Sequence, residues 1–320
     1  MLSRHFLRSK VLQVVYAGQL SDQCDQITVS KEFEYHVTRL NELGILQIAL
    51  MTKMLEVGER VIEEGKKKFR PTSEERTPNR KFLNNEFLRR MADNFELKKY
   101  REQWGGCWDT HEDLVKETFI EFRKTNIYCE YLSSPDSDFE KDKELAIQLF
   151  RFLMNRESLV AVLAERSLLW EDDFEQIAQY NYMMLKTLNE QNFDESMQWP
   201  LMYDKRVLKD EEDMNFARQL LLHTLEHRDE SVELIKRYLQ GWEFERVAPM
   251  DVLLINMAIA EIIECSSIPE KVTVDEYIEL SKEFSSERSK LFINGILDKI
   301  ILELRSQGKI KKSGRGLLEK

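Results

Sequence analysis

Apolar residues recur at helical spacing along most of this chain. Leu7, Val11 and Val15 lie on one side of a first helix, which we expect to end near residue 20. A long helix is predicted from about Ser30 to Gly65, where apolar residues repeat at intervals of three and four. The 320 residues include 11 Gly and 6 Pro, too few turn-forming residues for a sheet of many strands. The pattern therefore predicts an all-α protein.

The last third of the chain has the most regular pattern. Pro249 opens a helix that is apolar on most sides, which predicts a central buried helix. Thr273 and Glu276 have the spacing of a capping box at the start of the next helix. The last helix is expected to begin at Ser285 and to run to about Gln307.

Two segments of the chain resemble each other. Residues 144–190 match residues 215–263 at a nearly constant offset, as in Ala146-Ile-Gln-Leu149 and Ala217-Arg-Gln-Leu220. A degenerate internal repeat of a helical unit is one interpretation. Chance similarity between amphipathic helices is the other.

Charge is unevenly distributed along the sequence. The net charge of -11 argues against a nonspecific nucleic-acid coat, and charged residues make up 33% of the chain. Residues 1–20 nevertheless carry three basic side chains and no acidic one, and residues 299–320 carry seven basic side chains against two acidic ones. Two basic ends on an acidic body can meet in space and form one local anion site.

Cysteine usage and hydropathy indicate the cellular compartment of the protein. The four cysteines are scattered without a CxxC pair, which favours reduced thiols over a disulfide framework or a zinc site. No apolar run approaches the roughly 18 residues of a membrane span. We therefore expect a cytoplasmic protein that does not enter a membrane.

The most informative motif lies between Pro269 and Lys299. After Pro269 come Val272 and Glu276, then Glu279-Leu-Ser-Lys282, and then Phe292-Ile-Asn-Gly-Ile-Leu-Asp-Lys299. These residues resemble the C-terminal signature of the NusB family of transcription antitermination factors. The resemblance covers residues 209–301 and extends to the first helix, where basic residues precede a tyrosine.

The resemblance implies a fold and a division of the chain. It implies a NusB-like pair of helical bundles with a large helical insertion. Residues 1–21 would be the first helix of the NusB-like domain, and residues 22–208 the insertion, which contains the repeat-like half. Residues 209–308 would be the main part of that domain, followed by a basic tail at 309–320.

The resemblance also implies a function. It implies binding of boxA-type single-stranded RNA from ribosomal RNA leaders, together with the small-subunit ribosomal protein NusE. The protein would act within the RNA polymerase antitermination complex as an adaptor. No enzymatic activity and no cofactor are expected.

Candidate RNA-binding residues follow from the chemistry of an RNA strand. Phosphates need cations, and unstacked bases need flat groups or amide edges. The side chains that offer these groups at the two helix starts are Arg4, Arg8, Lys10, Arg288, Lys290, Phe292 and Asn294. The backbone N–H groups at the start of the last helix also favour an anion.

Several of these candidates have a structural alternative. Arg4 and Arg8 could belong to a solvated helix face, Phe292 to the core, and Asn294 to a packing or capping contact. Gly295 is expected to permit a close contact between helices. Two further candidates, Tyr16 and Asp251, lie where the family contacts its RNA or its protein partner, although Asp251 could instead cap the helix that Pro249 opens.

His223 and His227 have a spacing that suits a metal ion on one helix face. No cysteine or further acidic ligand accompanies them at ligand spacing, and the glutamate of a metalloprotease motif is absent between them. The sequence therefore favours a polar helix face, and we expect no metal.

Two other functions compete with the RNA-binding adaptor. Ribosomal RNA methyltransferases can carry a NusB-like domain, but residues 22–208 show neither the strands nor the glycine-rich loop of a cofactor domain. A helical protein-interaction scaffold with weak or no RNA binding is the stronger alternative. Asn256 and Ala260 favour it, because the family has an arginine and an aromatic residue at these positions.

Overall fold

The computed structural model describes residues 3–21, 25–104, 106–135, 138–193, 208–239 and 243–317. Helices dominate these ranges and no strand occurs in them, which confirms the predicted all-α fold. None of the described helices combines the length and the apolar character needed to cross a membrane. Two compact units are present: unit 1 comprises residues 1–36 and 205–320, and unit 2 comprises residues 37–204.

The helices are named in chain order. They are α1 (Arg4–Leu20), α2 (Gln26–Lys66), α3 (Ser73–Arg76), α4 (Glu86–Asp93), α5 (Phe95–Trp104), α6 (Gly106–Thr110), α7 (Glu112–Phe122), α8 (Asn126–Ser133), α9 (Phe139–Met154), α10 (Glu157–Arg166), α11 (Phe174–Thr187), α12 (Leu208–Glu226), α13 (Arg228–Tyr238), α14 (Pro249–Glu264), α15 (Glu270–Phe284) and α16 (Ser289–Ser306). Short 3₁₀ helices occur at Leu168–Trp170, Phe244–Arg246 and Gly314–Leu317.

Helix α14 is the centre of unit 1. Every residue from Leu253 to Ile262 is buried, and the helix packs against α1, α12, α13, α15 and α16. A helix that is apolar on most sides avoids water only when neighbours cover it all round. The expectation of a central buried helix after Pro249 is confirmed.

The helices after α14 begin at positions that differ from the predicted ones. Helix α15 starts at Glu270 with Pro269 as its N-cap, so Thr273 lies inside the helix and does not form a capping box. The Thr273 hydroxyl donates instead to the Glu261 carboxylate at 2.9 Å. Helix α16 begins at Ser289 and not at Ser285, because the Ser285 hydroxyl donates to the buried Asp251 carboxylate on α14 and does not cap a helix of its own.

The predicted basic tail packs on the turn between α14 and α15. The Ser313 amide donates to the Ser266 carbonyl at 2.9 Å, and the Lys312 ammonium donates to the Cys265 carbonyl at 3.0 Å. A Cβ at Gly316 would come within 2.0 Å of the Ser266 carbonyl oxygen, so only glycine permits this approach. Residues 318–320 lie outside the described part of the chain.

Unit 2 is built around the remainder of α2. The Trp108 indole donates to the Leu46 carbonyl at 2.8 Å, and the Trp170 indole donates to the Arg39 carbonyl at 3.0 Å. Aromatic rings fill much of the core, with Phe82 in contact with three other rings. The described residues of unit 2 contain no strand, so they lack the sheet that a methyltransferase cofactor domain requires.

The same order of elements occurs twice in the chain. Helices α9 and α10, the 3₁₀ turn Leu168–Trp170 and α11 follow one another, and so do α12, α13, the 3₁₀ turn Phe244–Arg246 and α14. These are the two segments that the predicted repeat aligns.

Candidate functional site

Arg8 lies in a buried ion pair at the centre of unit 1. Its side chain is 3% exposed, and its Nε and Nη2 each donate to a different oxygen of Glu261 at 2.7 Å. Glu261 also accepts from the Thr273 hydroxyl and, at 3.2 Å, from the Tyr277 hydroxyl. This network joins α1 to α14 and α15.

The electrostatics of the pair favour the charged form of the arginine. Burial by itself lowers the pKa of Arg8, but the hydrogen bonds and the charge of Glu261 outweigh burial and raise that pKa above its ordinary value. Burial, and then the charge of Glu261, raise the pKa of Tyr277, so its hydroxyl keeps its proton and donates. Arg8 therefore has a structural contact and does not lie on a solvated helix face.

The other two N-terminal cations also have partners. Arg4 donates through Nε to Asp213 at 2.8 Å and through Nη2 to Glu212 at 3.1 Å, and its guanidinium lies over the Phe216 ring. Lys10 is 3% exposed and donates to the Gln13 amide oxygen at 2.7 Å. Of the three, only Arg4 keeps a partly exposed side chain, at 31%.

His5 links the first turn of α1 to α15. Its Nδ1 lies 3.0 Å from a Glu276 oxygen, and its Nε2 lies 3.0 Å from a Glu283 oxygen. Burial lowers the pKa of His5, but the two glutamates outweigh burial and raise it above 6.5. The contact places the start of α1 beside the end of α15, from which the chain turns into α16.

The His5 contact predicts a pH dependence of stability. Because the folded pKa lies above the unfolded value of 6.5, the contact stabilises unit 1 fully below pH 6.5, and the stabilisation is lost as the pH rises through the folded pKa. We expect the unfolding free energy of the protein to exceed that of the His5→Asn variant most below pH 6.5. Urea denaturation of both proteins between about pH 5.5 and 9 measures the difference. A constant difference across this range would contradict the assignment, and His111→Asn in unit 2 is the control.

The start of α16 presents the second group of candidates. Arg288 and Lys290 are exposed, and neither forms an ion pair with a carboxylate of the described residues. Phe292 and Asn294 are half-buried, so Phe292 is not a full core residue. The Asn294 amide lies 3.4 Å from an Asp298 oxygen, a weak contact that leaves the side chain at the surface.

Asp251 lies beneath this helix start. Its carboxylate accepts from the Ser285 hydroxyl at 2.5 Å and from the Ser289 hydroxyl at 2.9 Å, and Asp251 is 6% exposed. It does not cap α14, whose N-cap is Ala248. Because a negative group already occupies the start of α16, a bound phosphate would be held by side chains and not by the helix N–H groups.

The close contact between helices that we expected at Gly295 does not occur. Gly295 is exposed, and a Cβ built on it would meet nothing within 4 Å. Tyr16 is half-buried and lies on α1, about 18 Å along the helix from Arg4. The structure thus places Arg288, Lys290, Phe292 and Asn294 at the start of α16, whereas Tyr16 lies on α1.

Asn256 and Ala260 are both buried. The Asn256 amide donates to the Thr224 carbonyl at 2.9 Å, and Ala260 is 0% exposed. A difference at these positions therefore changes the packing of α14 and not an exposed face. Sequence reasoning missed Glu261, although a lone glutamate within an apolar helix is itself a signal of a buried partner.

Comparisons with known proteins match the part of the chain that contains this helix start. The model of the NusB family matches residues 174–302, from α11 into α16. The chain is 41% identical over 104 residues to the transcription antitermination protein NusB of Salinibacter ruber, a match that covers 32% of this chain and 65% of the relative. It is 42% identical over 92 residues to the NusB of Symbiobacterium thermophilum, with 29% of this chain and 60% of the relative covered.

A third relative and the solved structures complete the comparison. The NusB of Chloroherpeton thalassium is 41% identical over 85 residues, which cover 27% of this chain and 40% of the relative. The chain thus spans less than two thirds of each of these relatives. No solved structure matches the chain. Residues 174–302 of this chain, which carry the exposed start of α16, are thus similar to the NusB family.

Proposed function

We propose that this protein is a cytoplasmic transcription antitermination factor that acts in ribosomal RNA transcription and catalyses no reaction. It binds boxA-type single-stranded RNA together with NusE, as part of the RNA polymerase antitermination complex. The NusB domain and the names of the three relatives support the antitermination role. Binding of boxA-type RNA and of NusE is the more specific part of the proposal.

The exposed start of α16 carries the proposal of RNA binding. Arg288 and Lys290 are exposed there, and a cation without a carboxylate partner can bind a phosphate without first breaking an ion pair. The half-buried ring of Phe292 offers an edge or face to an unstacked base, and the Asn294 amide offers hydrogen bonds to a base edge. These four side chains together supply the groups that a short RNA strand needs.

The contacts of α1 reduce the number of its residues that are available to bind RNA. Arg8 and Lys10 are buried, so we assign them to the attachment of α1 to unit 1. Arg4 remains the one N-terminal candidate with a partly exposed guanidinium. We therefore propose that Arg4 assists the α16 residues, with phosphate replacing Glu212 or Asp213 as its partner.

The partner-binding residues differ in exposure. Tyr16 is half-buried and offers a ring edge and a hydroxyl to NusE. Asp251 is 6% exposed, and we propose that it acts by positioning the start of α16 through Ser285 and Ser289.

A domain division accompanies this function. We propose that residues 1–21 and 209–308 form the NusB-like domain and that residues 22–208 are a helical insertion. The repeated order of helices in α9–α11 and α12–α14 supports the interpretation that the insertion contains a degenerate copy of that domain's helices.

Fluorescence anisotropy tests the RNA proposal. The full chain is titrated into a labelled boxA-type RNA and into a scrambled RNA of the same length and composition, each at two salt concentrations. We expect tighter binding of the boxA-type strand, because the base contacts of Phe292 and Asn294 depend on sequence. Equal affinity for both strands would remove the sequence-specific proposal, and no binding at low salt would remove RNA binding altogether.

A helical protein-interaction scaffold is the second candidate function. It is favoured by the engagement of Arg4, Arg8 and Lys10 within unit 1, which leaves fewer cations for RNA than the sequence suggests. Affinity capture on the intact protein separates the two functions. A scaffold retains NusE or other proteins but no RNA, whereas the RNA-binding adaptor retains both.

A further inference from the structure

Three metal-ligating side chains meet where two helices of unit 1 end. His223 lies in the last turn of α12, His227 directly follows that helix, and Glu264 is the last residue of α14. Their ligand atoms all lie within 4.8 Å of one another. The His227 Nε2 is 3.2 Å from one Glu264 oxygen, and the His223 Nε2 is 3.9 Å from the other.

The backbone holds the two histidines on one face. The His227 amide donates to the His223 carbonyl at 2.9 Å, so the helical turn continues through both residues. Their rings lie 6.1 Å apart with an angle of 25° between their planes. Histidines four residues apart on a helix are a common source of two metal ligands.

A second carboxylate lies beside the other ring nitrogen of His223. Its Nδ1 lies 3.1 Å from an oxygen of Glu226, and the nearer carboxylate favours the tautomer in which Nδ1 carries the proton and donates. The lone pair is then on Nε2, the nitrogen that faces Glu264. Glu226 is itself held by the side-chain amide of Gln26 at 3.2 Å. A carboxylate that orients a histidine in this way is typical of the surroundings of metal ligands.

Distances and electrostatics both suit a divalent ion. Ligand atoms around a tetrahedral zinc ion lie roughly 3.3–3.5 Å apart, so small side-chain rotations would close the three groups around one. The C-terminal ends of α12 and α14 lie beside each other, since His223 and His227 contact Glu264, and helix C-termini favour a cation. Two imidazoles and one carboxylate suit zinc and similar transition metals better than magnesium or calcium.

We propose that His223, His227 and Glu264 form a zinc-binding site, with Glu226 orienting His223. The three side chains are 28%, 26% and 34% exposed, so an ion can reach them from solvent and a water molecule can complete the coordination. The site joins the end of α12 to the end of α14, the central helix of unit 1. It is independent of the proposed RNA contacts.

Isothermal titration calorimetry with ZnCl₂ tests the site on the full chain without a histidine tag. We expect one zinc ion per chain and no comparable heat with MgCl₂. With CoCl₂, a visible absorption band of low-symmetry, nitrogen-containing coordination is expected. Zinc should also raise the thermal midpoint of unfolding. The three ligands are assembled only in the folded chain, so zinc binds the folded state more tightly than the unfolded state.

Variants identify the ligands. His227→Asn and Glu264→Gln are each expected to lower zinc affinity by more than the roughly 10–100-fold typical of outer residues, whereas Glu226→Gln falls within that range. His111→Asn, in unit 2, is the matched control and should leave binding unchanged. Circular dichroism confirms that each variant is folded, which the surface position of these residues favours.

Two outcomes would overturn the proposal. One is no zinc binding by the tag-free chain, which would leave the three groups as hydrogen-bonding partners. The other is binding that His227→Asn and Glu264→Gln do not weaken, which would place the ion elsewhere. Neither outcome bears on RNA binding, which is measured separately.

Discussion

Replacement of Glu261 by glutamine is expected to lower the unfolding free energy by about 3–5 kcal/mol. The substitution keeps the shape of the side chain but removes the buried charge that faces the Arg8 guanidinium, 3% exposed, and leaves Glu276 at 3.2 Å as its remaining carboxylate partner among the described residues. Removing one member of a buried pair is costly because the remaining charge is held away from water. Urea denaturation followed by circular dichroism measures the change, and hydrogen exchange in α1 and α14 shows which unit is affected.

A second variant separates the charge from the packing. The double change Arg8→Met with Glu261→Gln removes both charges, so it should be more stable than Glu261→Gln alone. Glu283→Gln serves as the control, because Glu283 is 52% exposed and a pair at the surface contributes at most about 1 kcal/mol. A loss below about 1 kcal/mol for Glu261→Gln would show that Arg8 is not held as the structure indicates.

Neutralising the start of α16 is expected to weaken RNA binding by about 100-fold or more. The variant carries Arg288→Gln and Lys290→Gln, and each lost charged hydrogen bond costs about 1.5–3 kcal/mol. Because each phosphate contact contributes about 0.7 to the slope of log affinity against log salt for a single strand, the slope should fall by about 1.4. Anisotropy titrations over a series of KCl concentrations measure both quantities.

The chain offers a control with the same change in net charge. Lys31→Gln with Lys299→Gln neutralises two exposed cations away from the first turn of α16. This variant should retain most of the affinity and most of the salt slope. If both double variants weaken binding equally, only the overall charge matters, and the α16 site is wrong.

The sequence predicted the helical fold well because periodicity is a local property. The end of α1 near residue 20 and the burial of α14 followed from the spacing of apolar residues. Helix starts were less predictable, because a hydroxyl can cap its own helix or bind another one. Thr273 satisfies the spacing of a capping box, yet its hydroxyl donates to Glu261 on α14.

The geometry of the proposed site was predicted only in part, for a related reason. Arg288, Lys290, Phe292 and Asn294 are close in sequence, so their place at one helix start needed no tertiary information, and their binding of RNA stays a prediction. The partner of Arg8 lies 253 residues away, and no local pattern connects the two. Charge counting at the N-terminus therefore overestimated the cations available to RNA.

Photo-cross-linking tests the central claim, that RNA binds at the start of α16. A boxA-type RNA carrying 4-thiouridine at successive positions is bound to the full chain and irradiated, and the modified peptides are identified by mass spectrometry. We expect adducts concentrated in the peptides that contain residues 288–294. Adducts found only in unit 2, or only along α1, would contradict the account.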